Sequence, residues 1–198
     1  MITHKQYVLA SSSQSRQKIL KDSGFIFKKA KPLCNEEEIK RKINKKKNAT
    51  YIAKKLAYEK AKSVSKVKKF LNYYVIGCDT LIYINNKIYN KAKNKREAYN
   101  KIKTLSGKTH KIVTGLTICK NGNIVWQCSS TTSVKIRKLK PDEIKLYLKK
   151  AGNKILSSVG CYQIESLGPI IIEDIRGDFF NVMGLPLFKL LKYATKNK

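Results

Sequence analysis

The chain has 198 residues, 42% of them apolar, which is enough for one core or two closely packed lobes. With 43 basic against 13 acidic residues its formal charge is +30, so its surface attracts polyanions, nucleotides included. No apolar run approaches the ~18 residues of a membrane span, and residues 1–7 carry one lysine with no long apolar run after them. Neither a membrane helix nor a signal peptide is expected, and the default is a cytoplasmic protein.

The first strand is expected at residues 7–10 (Tyr-Val-Leu-Ala), followed by three serines that open a helix running to about Ser23, with Gly24 behind it. Residues 25–30 read as a second strand, and residues 31–48 as a polar loop or exposed helix. Thr50 is placed to cap a long helix reaching about Phe70. Residues 75–79 form a buried strand, then 81–84 and 87–89 a hairpin around Asn85 and Asn86. Residues 95–105 are helical, stopping at Ser106 and Gly107. Asn121-Gly122, between the strands 111–119 and 124–136, is the strongest hairpin signal in the chain. Pro141 opens a helix to Lys150 at its favoured first-turn position. Strands are expected at 159–164 and 169–175, then a closing helix at 185–195. No repeat or low-complexity linker divides the sequence, so a single α/β domain over 1–198 is expected, with the central hairpins able to form a second lobe.

Charge alone is weak evidence for a nucleic-acid partner. Lysine far outnumbers arginine, and Asn, Ile and Tyr are abundant, a set that AT-rich codons favour without selection. The lysines run through the whole chain, and no basic stripe is interleaved with stacking aromatics. The cysteines (Cys34, Cys78, Cys119, Cys128, Cys161) are odd in number and lack C-x-x-C spacing, so neither a zinc site nor a disulfide framework is expected.

Asp79 is the residue that points to chemistry. Val75, Ile76 and Gly77 suit a buried strand, and a carboxylate at its mouth is costly unless it is paired or binds a cation. In open α/β sheets, ligands sit outside the carboxyl ends of the strands. Lys60 falls inside the apolar stripe of Ala53, Leu56, Ala57, Ala61, Val64 and Val67, where a lysine must snorkel or meet an anion. Glu36, Glu37 and Glu38 are the sole acidic cluster of the sequence, and one of them can join Asp79 around a divalent cation. Ser11, Ser13, Ser15 and Arg16 lie at a strand-to-helix turn that suits a phosphate. Without a glycine-rich loop, that stretch by itself reads as an ordinary serine cap with a surface arginine. His110 reads as a turn residue, and Asp178 and Asn181 as part of a tight connection that can also line a cleft.

Together these segments resemble the Maf family of nucleoside triphosphate pyrophosphatases. The resemblance is carried, in order, by residues 9–16, Asn35-Glu36, residues 56–61, residues 76–80, Lys91, residues 105–115, residues 160–168 and the turn 177–186. It implies an elongated mixed β-sheet with flanking helices and two lobes around a deep cleft. It implies hydrolysis between the α- and β-phosphates with Mg2+ or Mn2+, a house-cleaning role, a link to septum formation, and a homodimer. By that resemblance Asp79 matches the catalytic base and Glu36, Lys60 and Lys91 match other cleft residues, with Asp79 as base, as ligand of a cation shared with Glu36, or as both. Ser11, Ser13, Ser15, Arg16, Thr80 and Glu165 would hold the nucleotide.

The chain departs from the family pattern at Gln14, Ser15 and Ala92, where many members have Pro, Arg and Pro. Three positions resemble the base-selecting ones. Members preferring dTTP and UTP typically carry Arg, Thr and Gln there, and those preferring 7-methyl-GTP carry Trp, Gln and Glu. This chain carries Ser15, Thr80 and Glu165. An ionised carboxylate only accepts, so Glu165 suits the ring N–H and amine of a guanine edge and opposes a uracil carbonyl. A guanine-type or modified-purine preference is the resulting expectation, and the alternatives are a dTTP/UTP-preferring pyrophosphatase or a basic nucleic-acid-binding or cell-division regulatory protein without catalysis.

Overall fold

The computed structural model describes residues 5–43, 47–84 and 87–196. Seven strands, β1 (Tyr7–Ala10), β2 (Phe27–Ala30), β3 (Tyr74–Ile84), β4 (Lys87–Tyr89), β5 (Thr109–Lys120), β6 (Asn123–Ile136) and β7 (Ile172–Arg176), form one mixed sheet in the order β2-β1-β3-β5-β6-β7, with β4 on β3. The chain divides into two compact units: residues 1–80, 113–130 and 184–198, and residues 81–112 and 131–183.

In the first unit β1 pairs in parallel with β2 on one side and β3 on the other. Every residue of β1 is buried, as befits a central parallel strand covered on both faces. Helix α1 (Gln14–Asp22) makes the crossover to β2. Helix α2 (Glu36–Lys42) occupies the polar stretch after β2 and is followed by α3 (Ala49–Ser65). Thr50 is not the α3 cap: the Asn48 side chain accepts from the Tyr51 N–H, because Asn48 stands one step before the first helical turn. The helix also ends at Ser65, before Val67, and a separate 3-10 turn carries Lys68–Phe70.

Two glycines set the height of α3 above the sheet. A Cβ on Gly77 of β3 would lie 2.2 Å from the Ala57 carbonyl oxygen, and one on Gly115 of β5 would lie 2.4 Å from that of Ala53. Only bare backbone at both positions, against alanines on the helix, permits this approach. The buried face of α3 is Ala49, Ala53, Leu56, Ala57, Lys60, Ala61, Val64 and Ser65, a three-to-four spacing that includes the lysine. Helix α7 (Leu187–Lys196) closes this unit. Between β5 and β6, Asn121 and Gly122 take φ of 52° and 85°, the two left-handed residues that a two-residue hairpin needs.

In the second unit β4 pairs antiparallel with Ile82–Ile84 of β3, and β7 with Ser133–Ile136 of β6. The hairpin turn Asn85-Asn86 lies outside the described residues. Helices α4 (Lys95–Leu105) and α5 (Pro141–Ala151) pack Ile102, Leu105, Ile144 and Tyr147 into one core with Ile82, Val134 and Tyr162. The strand expected at 159–164 is a series of turns instead. Cys161 adopts φ of 57° there, a left-handed conformation that breaks any strand, while Cys161, Tyr162 and Ile164 still reach the core. The connection 177–186 contains the single-turn helix α6 (Phe179–Val182).

Candidate active site

The cluster is built where β1 ends. Its last pair with β3 is Ala10 with Gly77, so β3 runs on through Cys78, Asp79 and Thr80 beyond that neighbour. Strand alternation sends Asp79 to the same face as Gly77, toward α3, and sends Thr80 to the opposite face. Two polar groupings follow from this, one on each side of the strand.

On the α3 side, Lys60 Nζ donates to Asp79 Oδ1 at 2.6 Å and lies 3.0 Å from Glu36 Oε2. Lys60 is 6% exposed and Asp79 7%, and they are the sole buried charged residues among those described. Each loses its water, so each holds its charge at this depth through the other. Glu36 is half-exposed at the start of α2, whose Asn35 side chain caps the Glu38 N–H. Glu37 and Glu38 turn away and pair with Lys40 and Lys42, which leaves Glu36 as the member of the acidic run that meets Lys60. The Leu33 N–H donates to Ser63 Oγ at 3.1 Å and ties the segment before α2 to α3.

On the other side, Arg16 is held by neutral acceptors. Its Nε donates to the Gly184 carbonyl at 2.7 Å, one terminal nitrogen to Ser11 Oγ at 3.2 Å, and the other to Thr80 Oγ1 at 3.0 Å. Thr80 Oγ1 is in turn 3.0 Å from the buried Thr114 Oγ1. Ser13 caps α1 through the Arg16 N–H, and Ser11 Oγ also accepts from the Ser13 N–H. Among the described residues no carboxylate pairs with Arg16. A guanidinium has five N–H donors, and three are used here, so a part-buried charge is aimed with donors to spare. Gly184 takes φ of 100°, and a Cβ there would press on Thr80 Oγ1 and Arg16 within 3.5 Å. Thr114 and Gly184 escape sequence reading, because they reach Arg16 and Thr80 from far along the chain.

Burial disfavours the thiolate form of the neighbouring cysteines. Burial pushes the Cys78 pKa up to about 11, and burial together with Glu36 raises that of Cys34 despite Lys60. All five cysteines are unpaired.

The remaining expected residues lie elsewhere. Ser15 sits half-buried on α1. Lys91 and Glu165 belong to the second unit, where both are exposed, one in the segment before α4 and the other in the turns before β7. Asp178 caps α6 by accepting from the Phe180 and Asn181 N–H groups. Asn181 Nδ2 donates to the Ile112 carbonyl and to Thr132 Oγ1, so this pair holds the turn together. His110 is a buried residue of β5, not a turn residue, and shares a 2.6 Å hydrogen bond with Tyr162.

Among the described residues no group of three or more His, Cys, Asp and Glu converges on one point. The donors at hand are Glu36 and Asp79, two hard carboxylates already gathered on one cation. That set fits Mg2+ or Mn2+ of the kind that takes one or two carboxylates and completes its shell with water and substrate phosphates. It does not fit zinc, which wants His or Cys. No described helix is long and apolar enough to cross a membrane.

The sequence model for Maf-like protein matches residues 6–197. A 7-methyl-GTP pyrophosphatase of Bartonella quintana is 40% identical over 184 residues, covering 93% of this chain and 91% of that protein. A dTTP/UTP pyrophosphatase of Alkaliphilus oremlandii is 37% identical over 188 residues, covering 94% and 93%. A nucleoside triphosphate pyrophosphatase of Rhodopseudomonas palustris is 34% identical over 191 residues, covering 96% and 93%.

Proposed function

Because the chain belongs to the Maf-like protein family, we propose that it is a cytoplasmic nucleoside triphosphate pyrophosphatase that releases a nucleoside monophosphate and pyrophosphate. The observation that carries this reading is Arg16, a part-buried cation held by three neutral acceptors one residue along β3 from a buried Lys60–Asp79 pair. An anion-binding guanidinium beside a carboxylate able to take a proton is the minimal equipment for cleaving a phosphoanhydride.

In this reading Arg16 and the Ser11 hydroxyl bind the phosphate chain, and Thr80 and Thr114 keep the guanidinium in one orientation. Asp79 accepts a proton from water as the water oxygen bonds to the α-phosphorus and the bond to the bridging oxygen breaks. Pyrophosphate leaves with the negative charge that Lys60 helps to neutralise. A divalent cation held by Glu36 and Asp79 would polarise the phosphoryl oxygens.

For the base, the reading favours a guanine-type or modified purine. Glu165 supports it by the acceptor argument, and a relative named for 7-methyl-GTP points the same way. Pyrophosphate release measured with Mg2+ and then Mn2+ across dTTP, UTP, CTP, GTP, 7-methyl-GTP and ITP tests both parts. Hydrolysis of 7-methyl-GTP or GTP faster than UTP is expected. Faster UTP turnover would overturn the base preference, and no turnover of any triphosphate by folded protein would overturn the activity.

A further inference from the structure

Lys60 occupies the place a metal would need. Its ammonium touches Asp79 Oδ1 at 2.6 Å and Glu36 Oε2 at 3.0 Å, so one monovalent cation bridges the two carboxylates that suit Mg2+ or Mn2+. An ammonium offers N–H donors and a hard divalent ion needs oxygen ligands, so both draw on the same lone pairs. Arg16 has no such conflict, because its acceptors are neutral.

We infer that Lys60 is an exchangeable internal counter-ion: a divalent cation enters by displacing its ammonium from Glu36 and Asp79, and the freed ammonium then becomes a donor for an anion. The inference rests on the proposed hydrolytic site but concerns the metal-free protein. Two features of the structure favour exchange over a fixed pair. The lysine stem springs from a helix pinned to the sheet at Gly77 and Gly115, so the backbone stays put and a shift of the ammonium is made by the four methylenes of the stem alone. Glu36 stands on a short helix and is 42% exposed, so one side of the bridge already faces water. The ion pair also has a cost to exchange against: a metal must match the coulombic and hydrogen-bond energy of the ammonium before it gains anything. Metal affinity without nucleotide is therefore set by competition inside the protein.

The test titrates Mn2+ alone, without nucleotide, into wild-type protein and Lys60→Met, following free Mn2+ by electron paramagnetic resonance. Removing the competitor while keeping the apolar stem should tighten Mn2+ binding by about tenfold or more. The melting temperature of Lys60→Met should also rise with Mn2+ by more than that of wild type. Equal or weaker Mn2+ binding by folded Lys60→Met would overturn the exchange. If that variant does not fold, wild-type protein carrying 15N-lysine decides. The Lys60 ammonium signal should be protected from solvent exchange without metal and lose that protection on adding Mg2+. Its persistence at saturating Mg2+ would overturn the inference. The two readings fail separately. Active enzyme with no exchange removes only the counter-ion role, and exchange in protein inactive on every triphosphate removes only the activity.

Discussion

The first unit buries charge at the end of β1: Lys60 and Asp79 hold opposite charges out of water, and Arg16 stands beside them with no carboxylate partner among the described residues. In the second unit the buried polar groups are neutral. His110 hydrogen-bonds Tyr162, Asn181 donates to Thr132 and a backbone carbonyl, and burial drives the His110 pKa down to about 4. The two arginines make the same contrast. Arg137 donates to the Glu143 carboxylate and to the Ile170 carbonyl, a closed structural contact, whereas Arg16 has only neutral acceptors. Neutral buried groups that hydrogen-bond one another help to specify a fold. Buried charge kept at the mouth of a strand costs desolvation that folding alone does not call for, and it marks the place where an anion or cation is to be met.

The contrast breaks most completely if α3 is lifted from the sheet. Gly77→Ala forces a Cβ onto the Ala57 carbonyl, and a destabilisation of about 3 kcal/mol or more is expected by chemical denaturation. Activity should fall with it, because Lys60 moves with the helix. Gly107→Ala in the second unit meets nothing within 4 Å and suffers only from its φ of 70°, so about 1 kcal/mol and unchanged turnover are expected.

The neutrality of the second unit is tested by acid. His110 titrates near 4 in the fold against about 6.5 unfolded, so between those values the unfolded chain binds the extra proton. Its contribution is intact above pH 6.5 and is lost as pH falls toward 4, on the order of 3 kcal/mol in all. Urea midpoints measured across that window should fall, and His110→Gln should flatten the fall. A midpoint independent of pH would show that this imidazole is not kept neutral.

A smaller effect sharpens the role of the Arg16 cradle. Thr114→Val keeps shape but removes the hydroxyl beside Thr80 Oγ1. KM should rise by about tenfold while kcat changes little, as suits a residue that positions a binding group. A loss in kcat with unchanged KM would move Thr114 out of that role. The smallest effect belongs to exposed pairs such as Lys18–Asp22, where Asp22→Ala should cost less than ~0.5 kcal/mol by urea melting.

Much of this was legible in the sequence. The apolar runs of β1 and β3 stand out, and Asn121-Gly122 has one physical use. Lys60 shows itself because the stripe on α3 has a period, and a charge within it is an exception. Residues 159–164 misled because their apolar side chains are buried from a turn, and burial without a ladder looks like a strand. Thr50 misled because Asn48 is an equally good cap two residues earlier. Two of the three acceptors in the Arg16 cradle were illegible in the local sequence: Thr80 and Gly184 stand 64 and 168 residues away, and no local pattern joins a serine-rich turn to them.

The most direct test of the account is pyrophosphate release by wild type and Asp79→Asn, with the thermal stability of both measured alongside. The account predicts that the variant stays folded, because Lys60 keeps Glu36 as its partner, and loses about a thousandfold or more in turnover. Turnover close to wild type in Asp79→Asn, or a loss seen only where the variant has unfolded, would contradict it.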